Sequence, residues 1–217
     1  MVRKSYQSWL IALALLGAGL DQVSKYGVFR WLSSQNSVRF TNETGTSTGG
    51  TGRYEIVNHW FCLHTQYTHD SAGPSVLRNW SSDQMPRVNK GALFGLFNQH
   101  EELANRVFAA ISILAGFAIV GWSFRRTTRG DRLLCAALGL ILAGTLGNLY
   151  DRIVFGGVRD FLYFYYINWP VFNIADCCLV CGAFLLLAQA FLAQPITAPA
   201  VASSRGTVPS PEVAQAQ

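Results

Sequence analysis

Four carboxylates in this chain border or interrupt long apolar runs: Asp21, Asp151, Asp160 and Asp176. A carboxylate in the hydrocarbon core of a membrane costs about 3 kcal/mol on insertion scales, less near the interface, and marks a functional site by default. Asp160 and Asp176 are the most suggestive, because both are embedded among apolar neighbours and only Arg159 places an opposite charge beside either of them. Two carboxyl groups held close in a low dielectric resist double ionisation, so one keeps a proton. The ionised partner can then take a proton from water while the other donates to a carbonyl oxygen, which is hydrolysis by general acid–base catalysis. Other spacings around them are usable. Asp21 and Lys25 stand four apart, as do Asn148 and Arg152, and Asn173 and Asp176 stand three apart, so each set shares a helix face. Each could equally be a helix-end pair or cap that only anchors a bundle, Asp151–Arg152 included. No competing constellation is present: there is no GxSxG, no HExxH and no glycine-rich phosphate loop. His59, His64, His69 and His100 lack metal-ligand company in sequence, and neither metal nor other cofactor is expected.

The elements that must position these residues are apolar runs. The chain has 217 residues, 50% hydrophobic and 13% charged, against about 25% charged in an ordinary soluble domain. Ser5–Leu20, Val107–Phe124, Leu133–Tyr150 and Cys177–Ser204 carry no charge at all. A helix needs roughly 20 mostly apolar residues to cross a bilayer, so four spans are expected, near 7–31, 103–124, 133–150 and 171–194. A soluble helical bundle would need polar helix faces, and Leu133–Tyr150 has none. The first run is not read as a cleaved signal peptide, since Ala18-Gly19-Leu20 ends in a large residue and apolar residues resume after Asp21.

The net charge of +5 is distributed as topology, not as a nucleic-acid surface. Arg125, Arg126, Arg129 and Arg132 crowd one short connection, and Arg3 and Lys4 precede the first run, the positive-inside pattern. Both termini then lie in the cytoplasm. The external ends of three spans, together with the linker holding Asp160, deliver Asp21, Lys25, Asn148, Asp151, Arg152, Asn173 and Asp176 to one level near the outer face.

The external connection 33–102 is too long for a plain turn. Thr41–Gly52, nearly all Thr, Ser and Gly, reads as flexible; Tyr54–Thr68 reads as one or two strands. Asp70–Arg87 is polar with Pro74 and Pro86 as breakers, and Asn89–Phe97 returns to small and apolar residues. Seven aromatics between Phe161 and Ala175 suggest an interfacial belt. The five cysteines, including Cys178 and Cys181 at CxxC spacing, read as small buried hydrophobes, with Cys62 a free thiol outside the spans. Residues 1–194 form one domain, and 195–217 read as a disordered cytoplasmic tail.

At these positions the sequence resembles the lipoprotein signal peptidases. Asp21-Gln22-Val23-Ser24-Lys25 is similar to their first-helix motif, and Asn89-Lys90-Gly91-Ala92-Leu93-Phe94 to their Asn-x-Gly-Ala-Ala-Phe stretch. Gly147-Asn148-Leu149-Tyr150-Asp151-Arg152 is similar to Gly-Asn-x-x-Asp-Arg, followed by Val158-Arg159-Asp160-Phe161 as Val-x-Asp-Phe and Phe172-Asn173-Ile174-Ala175-Asp176 as Phe-Asn-x-Ala-Asp. The resemblance implies a four-helix aspartic endopeptidase of the bacterial cytoplasmic membrane with a small external β-rich segment. It implies cleavage of diacylglyceryl-modified prolipoproteins just before the lipidated cysteine, by a monomer in contact with membrane lipid and without nucleic acid. It implies Asp160 and Asp176 as the catalytic pair; Asn89, Asn148, Arg152 and Asn173 as residues lining the site; and Asp21 and Lys25 in support. The stretch 67–88 stands as an insertion relative to that pattern. The alternative in another class is a small proton- or ion-coupled transporter, which would need polar residues leading to the cytoplasmic side.

Overall fold

The computed structural model describes residues 5–35, 38–41, 47–68, 85–91 and 101–192. Expectations placed on Arg3, Lys4, His69, His100, Ala92, Leu93, Phe94, most of Asp70–Arg87 and the tail from Gln194 fall outside these residues.

The apolar runs form helices α1 (Gln7–Gln35), α2 (Glu101–Ser123), α4 (Arg132–Val154) and α5 (Ile174–Leu192), and the arginine-rich connection after α2 holds a single-turn helix, α3 (Arg126–Arg129). Of the described helices, three (α2, α4 and α5) are long and apolar enough to cross a membrane by length and composition. At 1.5 Å per residue, 23 residues reach about 35 Å against a hydrocarbon core of about 30 Å. The expected fourth, α1, has 29 residues, but Asp21, Gln22, Lys25 and Arg30 break the apolarity of its second half. Asp21 and Lys25 turn inward, neither with any exposed surface, and Gln22 is half-buried, while Arg30 stays exposed.

Helix α4 is central, packing on α1, α2 and α5, while α2 and α5 present bare apolar side chains such as Phe117 at 74% and Phe191 at 81% exposure. That inversion suits a hydrocarbon surround, where helix association depends on close backbone approach at small residues. A Cβ on Gly139 would stand 2.8 Å from the Leu10 carbonyl oxygen, and one on Gly144 would collide with the Ala175 carbonyl oxygen and the Leu179 side chain. One apolar core joins Leu10, Ala14, Ile119, Cys135, Leu138 and Leu142. Below it, Asp131 caps α4 by accepting from Leu134 N at 3.0 Å, and its other oxygen accepts from Gln189 Nε2 of α5 at 3.0 Å.

An antiparallel sheet lies at the other end: β1 (Val38–Thr41), β2 (Ser47–Val57), β3 (Phe61–Thr68), β4 (Met85–Pro86) and β5 (Leu162–Tyr163), in order β1-β2-β3-β4 with β5 also on β3. The strands expected in Tyr54–Thr68 are the end of β2 and all of β3. The flexible reading of Thr41–Gly52 is corrected, because Ser47–Gly52 is strand. Gly52 allows close packing there: a Cβ on it would meet Leu32 Cβ at 2.7 Å and Thr65 Oγ1 at 2.8 Å. The stretch 67–88 also begins and ends inside the sheet, where Tyr67 and Thr68 pair with Pro86 and Met85.

A second core of Phe29, Tyr67 and Phe161 fixes sheet to helix, and Tyr67 Oη donates to the Phe29 carbonyl at 2.6 Å. Phe161 therefore leaves the expected aromatic belt, whereas Phe164, Tyr166 and Trp169 are exposed. The cysteines divide similarly. Cys62 and Cys135 are buried, Cys177 and Cys178 half-buried, and Cys181 is exposed on α5, not the buried hydrophobe expected.

Candidate active site

The site begins with a cap. Asn173 precedes the first residue of α5, and its Oδ1 accepts from Asp176 N at 3.0 Å, while the Asp176 carboxylate accepts from Asn173 N at 3.1 Å. This is a reciprocal capping box, which satisfies two backbone donors and fixes both side chains. A carboxylate is favoured there by the positive end of the helix dipole. A second carboxylate reaches the same turn from α1, since Asp21 Oδ1 accepts from Ala175 N at 2.8 Å.

With its oxygen committed to the cap, Asn173 must aim its amide nitrogen elsewhere. Nδ2 donates to Asp160 Oδ1 at 2.7 Å and to Asn148 Oδ1 at 3.1 Å. Asp160 and Asp176 are thus gathered on either side of one residue. Two more asparagines complete the set by the same logic. Asn148 Oδ1 accepts from Lys25 Nζ at 3.2 Å, which leaves its Nδ2 to donate to Asp176 Oδ1 at 2.8 Å. Asn89 Oδ1 accepts from Gly91 N at 2.9 Å, and its Nδ2 donates to Asp160 Oδ2 at 3.1 Å. Gly91 has φ of 100°, a conformation that glycine adopts without strain, and the Phe108 ring fills the space a side chain would need. In each amide a fixed donor holds the oxygen, so the nitrogens converge on the two carboxylates.

Depth differs across this group. Asn173 has no exposed surface and Asn148 has 6%, while Asp160 and Asp176 are partly accessible and Asn89 is exposed. The carboxylates can therefore be reached from the Asn89 side. Burial, then the neighbouring Asp176, push the Asp160 carboxyl up to about 7. A carboxyl that titrates near neutrality can exchange a proton at working pH.

Beneath lies a wholly buried ion quartet. Lys25 Nζ is 2.8 Å from Asp21 Oδ2 and 3.3 Å from Asp151 Oδ2. Asp151 is also held by Arg159, whose Nη2 is 2.9 Å from Oδ1. Gln22 links the members, with Nε2 donating to Asp21 Oδ2 at 3.0 Å, to the Gly147 carbonyl at 3.1 Å and to Asp151 Oδ1 at 3.2 Å. The i, i+4 pairing of Asp21 and Lys25 is thus formed. The pairing of Asp151 with Arg152 is not, because adjacent helical residues point to different faces. Arg152 turns instead to the Phe108 ring, 5.4 Å from its centroid, with Nη1 donating to the Asn148 carbonyl at 3.4 Å. Of the eight candidate residues, seven join one continuous network; Arg152 borders it through a main-chain contact. Gln22 and Arg159 were not anticipated. Gln22 had no signal beyond adjacency to Asp21. Arg159 had one: a lone basic residue between Gly156 and Phe172.

The family model for signal peptidase (SPase) II matches residues 13–192. A lipoprotein signal peptidase of Cupriavidus necator is 45% identical over 101 residues, covering 46% of this chain and 57% of that one. One of Pseudoalteromonas translucida is 41% identical over 108 residues, covering 49% and 64%. The chain thus spans less than two thirds of the length of these two relatives. One of Rhodopirellula baltica is 34% identical over 193 residues, covering 82% and 70%. Two solved bacterial membrane enzyme structures share the fold, with TM-scores of 0.60 and 0.61 at 23% and 22% identity, covering 88% and 90% of this chain and 92% and 99% of theirs.

Proposed function

The chain belongs to the signal peptidase II family, and from that premise we propose that it is a membrane aspartic endopeptidase that removes signal peptides from diacylglyceryl-modified prolipoproteins, cutting before the lipidated cysteine. The observation that carries this reading is the convergence of Asp160 and Asp176 on Asn173, with Asn89 and Asn148 completing a cage of amide donors. Asp176, held at the positive end of α5, takes the proton of the attacking water. Asp160 carries a proton and delivers it to the scissile carbonyl oxygen. Arg152, beside the pair, contacts the substrate backbone, and Asp21 and Lys25 hold the frame.

In this proposal α1 crosses the bilayer as the fourth span, its charged half shielded by α4 and α5. The arginines of 125–132 face the cytoplasm with both termini, in the bacterial inner membrane. The carboxylates then lie near the outer surface, where a lipid anchor would hold the scissile bond. Residues 1–194 act as one domain, working as a monomer. An ion-coupled transporter would need a polar path past Leu10, Ala14, Ile119, Cys135, Leu138 and Leu142, and that core is apolar.

The test uses the purified full chain with a lipidated prolipoprotein peptide and its unlipidated counterpart. Cleavage before the lipidated cysteine in the first alone is expected, with Asp160→Asn and Asp176→Asn each inactive although correctly inserted. Turnover by either variant would remove the dyad assignment and make Asp151 the next candidate.

A further inference from the structure

Arg159 has no exposed surface, and its guanidinium packs against two rings, 3.9 Å from the Phe155 centroid and 4.2 Å from that of Tyr26. Three of its N–H groups hold the Asp151 carboxylate. The main-chain N donates to Oδ2 at 2.8 Å, Nε to Oδ2 at 3.2 Å and Nη2 to Oδ1 at 2.9 Å. Nη2 also donates to Gln22 Oε1 at 2.9 Å. The residue before it is held from the opposite side, where Val158 and Asn89 exchange backbone hydrogen bonds of 2.7 and 2.8 Å. The peptide leading into Asp160 is therefore fixed at two successive residues, one tied to the last turn of α4 and one to the segment that carries Asn89.

Stability alone does not call for this arrangement. Burying a charge is costly, and a buried ion pair replaced by apolar residues of similar volume is often as stable or more so. The quartet of Asp21, Lys25, Asp151 and Arg159 is neutral as a whole, so it can be buried, but a neutral apolar filler would serve packing equally well. What an apolar side chain cannot supply is a set of directional N–H groups that lock side chain and main chain of one residue to one carboxylate.

We propose that Arg159 is a positioning residue, holding the Asp160 carboxylate in register with Asp176 through its clamp on Asp151. The inference rests on the peptidase reading above, and its test separates the two. Arg159→Met is compared with the double variant Arg159→Met/Asp151→Leu, both in the purified full chain. Four quantities are measured: backbone hydrogen exchange over residues 157–162, the thermal unfolding midpoint, and kcat and KM on the lipidated peptide. In the single variant the midpoint falls, exchange over 157–162 accelerates, and kcat drops by on the order of 10²-fold with KM nearly unchanged, as for a small displacement of a catalytic group. In the double variant the midpoint recovers, because no buried charge is left unpaired, while exchange stays fast and kcat stays low. Recovery of kcat together with the midpoint, or unchanged exchange over 157–162 in both variants, overturns the positioning role. Failure of the unaltered chain to cleave the peptide overturns the peptidase reading, and the exchange measurement still decides whether Arg159 holds the Asp160 segment.

Discussion

Asp160 and Asp176 have unlike surroundings, and that difference is what two carboxylates in acid–base catalysis require. Asp176 sits inside a capping box; Asp160 hangs on a loop between two asparagine amides. Burial and the neighbouring Asp176 raise Asp160 from its ordinary 3.8 to about 7. A group whose folded pKa is raised contributes stability below its unfolded pKa and loses it as pH rises through the folded value. The unfolding midpoint of the unaltered chain should therefore fall relative to that of Asp160→Asn as pH rises from about 4 to about 8, since asparagine does not titrate. A parallel pH trend in the two proteins would show that Asp160 is not the group concerned. If Asp160 is the proton donor, turnover should also decline as pH rises through about 7. Asp21 tests differently. It faces Lys25 and the α5 cap, and the carboxylates discussed above lie outside its contacts. Asp21→Asn should lower stability by about 3–5 kcal/mol, as for a broken buried pair, seen as less folded protein with near-normal turnover per folded molecule. Lost turnover in the protein that does fold would move Asp21 from frame to mechanism.

Between elements, the decisive contact is α4 against α5. Gly144, about one turn before Asn148, lets the backbones meet at the Ala175 carbonyl, one residue before Asp176. A leucine there must push the helices apart and with them Asn148 and Asp176, which are joined by a 2.8 Å hydrogen bond. Gly144→Leu should therefore reduce both the unfolding midpoint and kcat, whereas Gly19→Leu, at a position with nothing within 4 Å of an added Cβ, should change neither. Equal effects from both would mean that added bulk in the membrane, not the helix contact, is responsible. The sheet acts at the same scale from outside. Tyr67 fastens β3 to the end of α1, and β3 in turn pairs with β5 just after Asp160 and with β4 just before Asn89.

For the molecule as a whole, the proposed orientation follows from charge. Arg125, Arg126 and Arg132 are exposed at one end of the bundle and the sheet lies at the other. In a background with the five native cysteines replaced, a cysteine at Arg126 should resist a membrane-impermeant thiol reagent in intact cells, and one at Asn58 in the β2–β3 turn should react. The reverse pattern would invert the topology and put the carboxylates on the cytoplasmic side.

Much of this was legible without coordinates. Uncharged runs of helical length predict helices because hydrocarbon leaves backbone polar groups no partner but their own helix, and α2, α4 and α5 appear where those runs lie. Spacing was sufficient wherever both partners belong to one helix or its cap, as for Asp21–Lys25 within α1 and Asn173–Asp176 at the start of α5. It failed for Asp151, whose partners Lys25 and Arg159 come from α1 and from the loop after α4. Composition misled at Ser47–Gly52, which is strand; at Gly52 a neighbouring helix and strand take the space that a side chain would occupy. Local sequence determines which segments are helical and which carboxylates must be sheltered. Which donor each carboxylate receives depends on how five segments of chain meet at one point, and only tertiary packing decides that.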